Sequence, residues 1–302
     1  MQISISFRSG KSQKPPITID LPEDSTVDYL KKEIHKKEKK FYPDRQRLSF
    51  NEKVLQEGKA LKDYDIKDGN TISLKDLGPQ ISWKMVFVIE YLGPLIIHPI
   101  FYHFGSQIYG ENFEHTNLLS HDRFTYYMIM AHFLKREIET LFVHRFSHGT
   151  MPFMNVFKNS FHYHALSGIN LAYWTYGPWN ASGTSSSERP EWYIWACTAV
   201  FVYAQISNFS THITLRNLRP PGTRVRKIPY GYGFGLVSCP NYFFETIAWI
   251  SICALTKSYA ALLFIIAGFY YMYLWAIKKH KTYRKEFKDY PKNRKAIIPF
   301  LV

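Results

Sequence analysis

The sequence predicts an α-helical multi-pass membrane bundle of about six spans, preceded by a small α+β module. Three observations carry this prediction. The first 77 residues are charge-rich and alternate apolar with polar positions. From Ile81 onward the chain turns apolar in stretches close to the ~20 residues that a helical span needs. Aromatic residues, mostly Tyr and Phe, make up 17% of the chain, which suits lipid-facing and interfacial positions. The mean hydropathy of -0.23 averages two unlike halves.

Within residues 1–77, MQISISF alternates as a half-buried strand does, and ITIDL repeats the pattern after a Pro-containing turn. Asp24 and Ser25 are candidate caps for the helix STVDYLKKEIHKKEKK, with Val27, Leu30 and Ile34 on one face. RLSF and NTISLKDL follow as strands, so the order β-β-α-β-β describes a small mixed sheet on one helix. The polar N-terminus predicts no signal peptide.

MQI at the start, DRQRLSF midway and LKDYDIKDGNTISL at the close resemble ubiquitin over the whole module. The resemblance implies a β-grasp fold used for docking or folding. Conjugation is excluded, because the terminal Gly-Gly is missing and the chain runs on into KDLGPQISW.

The apolar stretches fall at about 82–104, 124–143, 160–178, 192–212, 236–254 and 258–277, several of them interrupted by polar groups. Between the fourth and fifth lie Arg216, Arg219, Arg224, Arg226 and Lys227, and the tail KKHKTYRKEFKDYPKNRK is equally basic. The 105–123 and 179–191 loops carry one arginine each, Arg123 and Arg189. Positive charge marks the cytosolic side, which places both termini there. Of two sequons, Asn180 falls in a predicted lumenal loop and Asn208 inside a span. A short serine run covers Ser185 to Ser187.

The formal net charge of +14 suits nucleic acid, anionic lipid or phosphorylated ligands. Basic residues beyond position 210 sit beside apolar runs, and neither zinc-finger spacing nor a basic zipper is present, so nucleic acid is not expected. Cys197, Cys239 and Cys253 are too scattered for a disulfide framework and read as reduced.

Ionisable groups inside a span are costly and mark function. His132, Arg136, Thr140 and His144 recur every four residues and predict one helix face. Lys135 and Glu139 are spaced to pair, and Glu90 needs a partner, with Lys135 or Arg136 as candidates. The bland alternative is a helix that only neutralises its own charges. The arginine-rich loop offers planar forks for phosphates, and Gly231, Gly233 and Gly235 would let a ligand approach the backbone. No strand-turn-helix context surrounds them, so no Rossmann domain is expected. His144-x-x-x-His148 and His162-x-His164 lack the further boxes of a di-iron site, and no metal is expected.

From about residue 78 onward, KDLGPQISW, EYLGP, KREIETLFVHRFSHGTMP, FKNSFHYH, LRNLRPPGTRVRKIP, VSCPNYFFE and KEFKDYPKNRKAIIPFL resemble the trans-2-enoyl-CoA reductases of very-long-chain fatty acid elongation, a branch of the steroid 5α-reductase family. The resemblance implies a 78–302 reductase domain in the endoplasmic reticulum membrane. It implies NADPH as cofactor and a long-chain trans-2-enoyl-CoA as substrate, with other elongation enzymes as partners. Arg136, Arg219, Asn241, Lys279, Tyr283 and Arg294 match positions around NADPH. Glu90, Lys135, Arg136 and Tyr242 match essential positions, with Tyr242 as proton donor. His212 stands where steroid reductases carry Asp. The competing readings are a steroid or polyprenol double-bond reductase and a non-catalytic adaptor that presents a ubiquitin-like domain.

Overall fold

The computed structural model describes residues 1–8, 14–110, 113, 118–146, 149–180, 188–220, 223 and 225–302. His148, Arg224, the Ser185–Ser187 run and the last two positions of the Asn180 sequon lie outside the described residues. The chain divides into two compact units, Met1–Trp83 with His148–Asn155, and Lys84–Ser147 with Val156–Val302.

In the first unit, β1 (Gln2–Arg8) and β2 (Ile17–Asp20) form a hairpin and α1 (Val27–Lys37) follows. Next come β3 (Gln46–Phe50), the short β4 (Lys53–Val54) and β5 (Thr71–Asp76). The sheet order is β2-β1-β5-β3-β4, with β1 and β5 parallel and Ile5 opposite Ile72. Period-two alternation sends Ile3, Ile5, Leu48, Ile72 and Leu74 to the face where α1 presents Val27, Leu30 and Ile34. The helix cap is Thr26, whose hydroxyl accepts from the Tyr29 amide at 3.2 Å. Asp24 and Ser25 do not cap it, because Ser25 donates instead to the Pro22 carbonyl at 2.8 Å. The helix also stops at Lys37, short of the predicted Lys40, where the Glu38 amide closes on the Ile34 carbonyl. β6 (Gln80–Ser82) and β7 (Thr150–Pro152), far apart in the chain, form a separate two-stranded antiparallel sheet, a pairing with no local sequence signal.

Six helical regions of the second unit occupy the six predicted apolar stretches. They are α2 (Trp83–His103), followed by a short α3 (Gly105–Tyr109), and α4 (Ser120–Ile138), which continues into a π turn at Glu139–Val143. The third comprises α5 (Asn155–Ser160), a π segment at Phe161–Asn170 and α6 (Leu171–Tyr176). Then come α7 (Glu191–Leu218), α8 (Pro240–Thr256) and α9 (Tyr259–Glu286). Only α2 and α9, among the described residues, are long and apolar enough by themselves to cross a membrane. The others fall short through charge in α4, breaks around the π segment, polar residues such as Gln205 and Asn208 in α7, or the shorter length of α8.

Tyr91, Phe133, Leu171, Phe201, Ile252 and Phe264 form the common core of this unit. Its outward positions are also apolar, among them Ile96, Leu134, Val202, Ile206 and Ile266, all exposed. An apolar surface outside an apolar core is the arrangement a lipid solvent permits and water penalises.

Candidate functional site

The predicted pair is present: the Lys135 ammonium lies 3.0 Å from Glu139 Oε1. Glu139 is fully buried and serves more than one partner. Arg136 Nη1 donates to Glu139 Oε2 at 2.8 Å, and His212 Nδ1 lies 3.0 Å from Oε1. Arg136 Nη2 donates to the Tyr91 hydroxyl at 2.7 Å. The row of His132, Arg136, Thr140 and His144 ends in a π turn that closes the His144 amide on the Glu139 carbonyl, five residues back, and the His144 ring lies 4.9 Å from that of His212, beside the same cluster.

Asn208 joins this cluster to α8. Its Oδ1 accepts from Lys135 at 2.5 Å. Its Nδ2 donates to the Asn241 carbonyl at 2.8 Å and to Glu245 Oε2 at 3.2 Å. Glu245 faces His132 Nε2 at 3.3 Å, and Gln205 contacts His132 Nδ1 at 2.8 Å. One polar network therefore runs from Tyr91 on α2 through α4 and α7 to α8. Tyr242 is half-buried at the start of α8, with its ring 6.4 Å from that of Trp275. Lys279 and Arg136 are cations within electrostatic reach of its hydroxyl.

The C-terminal segment folds back on the start of α8. Ser238 and Cys239 donate their amides to the carbonyls of Lys295 and Ala296 at 2.8 and 3.1 Å. Ser238 Oγ meets the Tyr290 hydroxyl at 2.6 Å, and the Tyr290 ring stacks on Tyr283 at 5.5 Å. Arg294 is buried, stacks over Tyr230 and Tyr290, and donates to the Pro229 carbonyl at 2.8 Å. The Lys279 ammonium sits 5.8 Å over the Tyr283 ring and within electrostatic reach of Arg219. Asn241, Tyr242, Lys279, Tyr283 and Arg294 thus converge from distant parts of the sequence. Arg219 caps α7, and its Nη1 donates to the Arg145 carbonyl at 2.8 Å.

A family model described as 3-oxo-5-alpha-steroid 4-dehydrogenase matches residues 149–302, and one described as the ubiquitin family matches residues 5–75. A Schizosaccharomyces pombe protein with a provisional enoyl reductase name is 45% identical over 305 residues, covering 100% of both chains. The very-long-chain enoyl-CoA reductase of Dictyostelium discoideum is 38% identical over 310 residues, covering 99% of this chain and 100% of its own. The chain belongs to the enoyl-CoA reductases of the steroid 5α-reductase family, with an N-terminal ubiquitin domain. A mouse trans-2,3-enoyl-CoA reductase-like protein is 30% identical over 308 residues, covering 99% of this chain and 84% of the mouse protein.

This family comprises nicotinamide-dependent membrane oxidoreductases. The reductase residues present fit a dinucleotide in charge and in unspent hydrogen bonds. Among the described residues Arg294 Nε and Asn241 Oδ1 are buried with no hydrogen-bond partner, one a donor suited to phosphate and the other an acceptor suited to an amide. His212 is occupied by Glu139.

Two expectations need correction. Glu90 is buried, but among the described residues its side-chain hydrogen-bond partner is Asn159, with Arg136 acting only at longer range. Its Oε1 has no partner. Gly233 has φ +77°, and a Cβ there would stand 2.7 Å from the Pro240 side chain, so its smallness serves packing of the reductase loop. His164 is a packing residue that meets the Ile89 carbonyl at 2.8 Å, and a Cβ on Gly93 would strike its ring. Glu139, His144 and His212 could also group around a metal, with ligand atoms within 4.8 Å of one another. Lys135 and Arg136 already hold that carboxylate.

Sequence reasoning missed Tyr91 and the role of Asn208, which it took for a sequon. The available signal was an amide inside an apolar helix, where an unpartnered polar group is costly.

Proposed function

We propose that this reductase saturates the trans-2 double bond of long and very-long-chain acyl-CoA with NADPH, as the last step of the fatty acid elongation cycle. The domain break near residue 77, six membrane crossings in the endoplasmic reticulum and both termini in the cytosol belong to the same reading. So do elongation enzymes as partners.

The observation that carries it is the Asn208 bridge, which ties the buried Lys135–Arg136 cluster to the backbone at Asn241, one residue before Tyr242. Arg219, Lys279 and Arg294 would hold the phosphates of NADPH, with Tyr283 and Asn241 beside its rings and amide. When bound, NADPH supplies the hydride that the acyl β-carbon receives.

Negative charge then develops on the thioester oxygen. Lys135 and Arg136, already oriented by Glu139, offset that charge without reorganising. The Tyr242 hydroxyl delivers a proton to the α-carbon, and Lys279 and Arg136 balance the phenolate left behind. Glu90 brings an unpaired buried oxygen that a polar group of the substrate would satisfy. The apolar helices exclude water from the acyl chain.

Purified protein should oxidise NADPH on addition of a long-chain trans-2-enoyl-CoA and leave a 3-keto-4-ene steroid unreduced. Turnover of the steroid alone would overturn the assignment.

A further inference from the structure

His132 is buried where α4 meets α7 and α8, and it takes no part in the chemistry proposed above. Its ring stands edge-on to those of Phe133 and Trp249, with centroids 5.0 and 5.1 Å away. Both ring nitrogens face polar groups. Nδ1 lies 2.8 Å from Gln205 Nε2, and Nε2 lies 3.3 Å from Glu245 Oε1.

These two neighbours fix where the proton of the ring sits. An amide nitrogen can only donate, so Nδ1 accepts from Gln205. An imidazole that accepts at Nδ1 carries its one proton on Nε2, here aimed at the Glu245 carboxylate. Turning the Gln205 amide over would bring its oxygen to Nδ1, draw the proton there and set a bare Nε2 lone pair against a carboxylate oxygen. Gln205 keeps the donating orientation although its Oε1 is then buried with no hydrogen-bond partner among the described residues, at a cost in stability.

Glu245 passes this orientation on. Its Oε1 faces His132, and its Oε2 accepts from Asn208 Nδ2 at 3.2 Å. Asn208 Nδ2 also donates to the Asn241 carbonyl at 2.8 Å, while its Oδ1 accepts from Lys135 at 2.5 Å. The reversed Asn208 amide would place its oxygen against two acceptors and its NH2 group against an ammonium. Gln205, His132, Glu245, Asn208 and Lys135 therefore form one directed series, with Glu245 as the shared acceptor.

We infer that His132 is a positioning residue for the reduction. Held in one tautomer by Gln205, it orients Glu245 and, through it, the Asn208 amide that fixes Lys135 and the backbone at Asn241. The inference rests on the enoyl-CoA reading above, in which Lys135 offsets the charge on the thioester oxygen.

The test uses the full-length protein in detergent and reads melting temperature, NADPH binding and reduction of a long-chain trans-2-enoyl-CoA. Gln and Met side chains have the same length, and only Gln carries an N–H near the place of Nε2. His132→Gln should keep the rate within a factor of about three of wild type. His132→Met should lose ~10–10²-fold, less than the removal of a donor that touches the developing charge. The loss should fall on kcat and leave the KM for enoyl-CoA near wild type, because Lys135 acts on charge that exists only in the transition state. Gln205→Met frees the ring to take either tautomer and should slow the wild type about threefold to tenfold. It should add nothing in the His132→Gln background, which has no tautomer to select. Equal rates for His132→Gln and His132→Met, or a Gln205→Met loss of the same size in both backgrounds, would overturn the inference. Gln205 is only half-buried, so the second comparison decides the matter even where His132→Met does not fold. A wild-type protein that does not reduce enoyl-CoA would overturn the reading of function itself, a result distinct from those two.

Discussion

The two compact units bury different chemistry. In the N-terminal unit the interior is largely aliphatic, and its Arg45–Asp76 and Lys36–Glu33 pairs lie at or near the surface. In the helical unit Glu139, His132, Asn208 and His212 are as buried as the leucines around them. Burying ions is a poor route to stability, because desolvation cancels most of the attraction. A fold that keeps so many buried polar groups in one network retains them for another purpose, and the placement of Tyr242 beside that network supplies one. Among its described residues the ubiquitin-like unit carries no comparable cluster.

The largest effect that would break this contrast is at Glu139. Glu139→Ala leaves Lys135 and Arg136 buried without their carboxylate, a change that costs ~3–5 kcal/mol when a buried pair loses one partner. Thermal melting of the detergent-solubilised protein should show the helical unit destabilised and turnover lost, with the sheet unit unchanged. Melting at the wild-type temperature would mean that the network is not the buried system described.

Leu30→Ala is the converse experiment. It empties a fully buried site under the sheet and should cost the first unit ~2–5 kcal/mol. Hydrogen exchange should accelerate in β1, β3 and β5, while NADPH oxidation per folded helical unit stays near wild type. Loss of turnover with the helical unit intact would give the first unit a part in catalysis.

The smallest effect is at Asp76. The hydrogen bond from the Arg45 guanidinium holds its carboxyl below the ordinary range of about 3.9. Its contribution is therefore complete above that ordinary value and is lost as the pH falls through the lowered one. Asp76→Asn should cost ~1 kcal/mol or less at neutral pH, the range of a partly exposed pair. The difference from wild type in β5 hydrogen exchange should vanish in acid. A difference that persists there would assign the effect to something other than this carboxylate.

What the sequence made legible follows the range of the interactions. The strands and α1 announce themselves by local period, and Lys135–Glu139 by four-residue spacing. Arg136 to Tyr91, Lys135 to Asn208 and Asn208 to Asn241 join different helices, and no local pattern encodes them. The π turn at Glu139–Val143 had no marker in the sequence, yet His144 still lies beside His212. The resemblance to a known family named Asn241, Tyr242, Lys279, Tyr283 and Arg294 together, whereas no local pattern links them and only the folded C-terminal segment brings them close. The partner of Glu90 was misjudged because Asn159 lies on α5, just ahead of the predicted 160–178 stretch, where a helix has no clear marker in the sequence.

Tyr242→Phe tests the central claim most directly. It removes one hydroxyl and keeps the ring, so the packing of α8 against the C-terminal segment should persist. Single-turnover reduction of a long-chain trans-2-enoyl-CoA should fall ~10²–10⁴-fold, the usual contribution of a positioned proton donor, with NADPH binding near wild type. Turnover within a factor of a few of wild type, with NADPH still bound, would remove Tyr242 from the donor role and contradict the account.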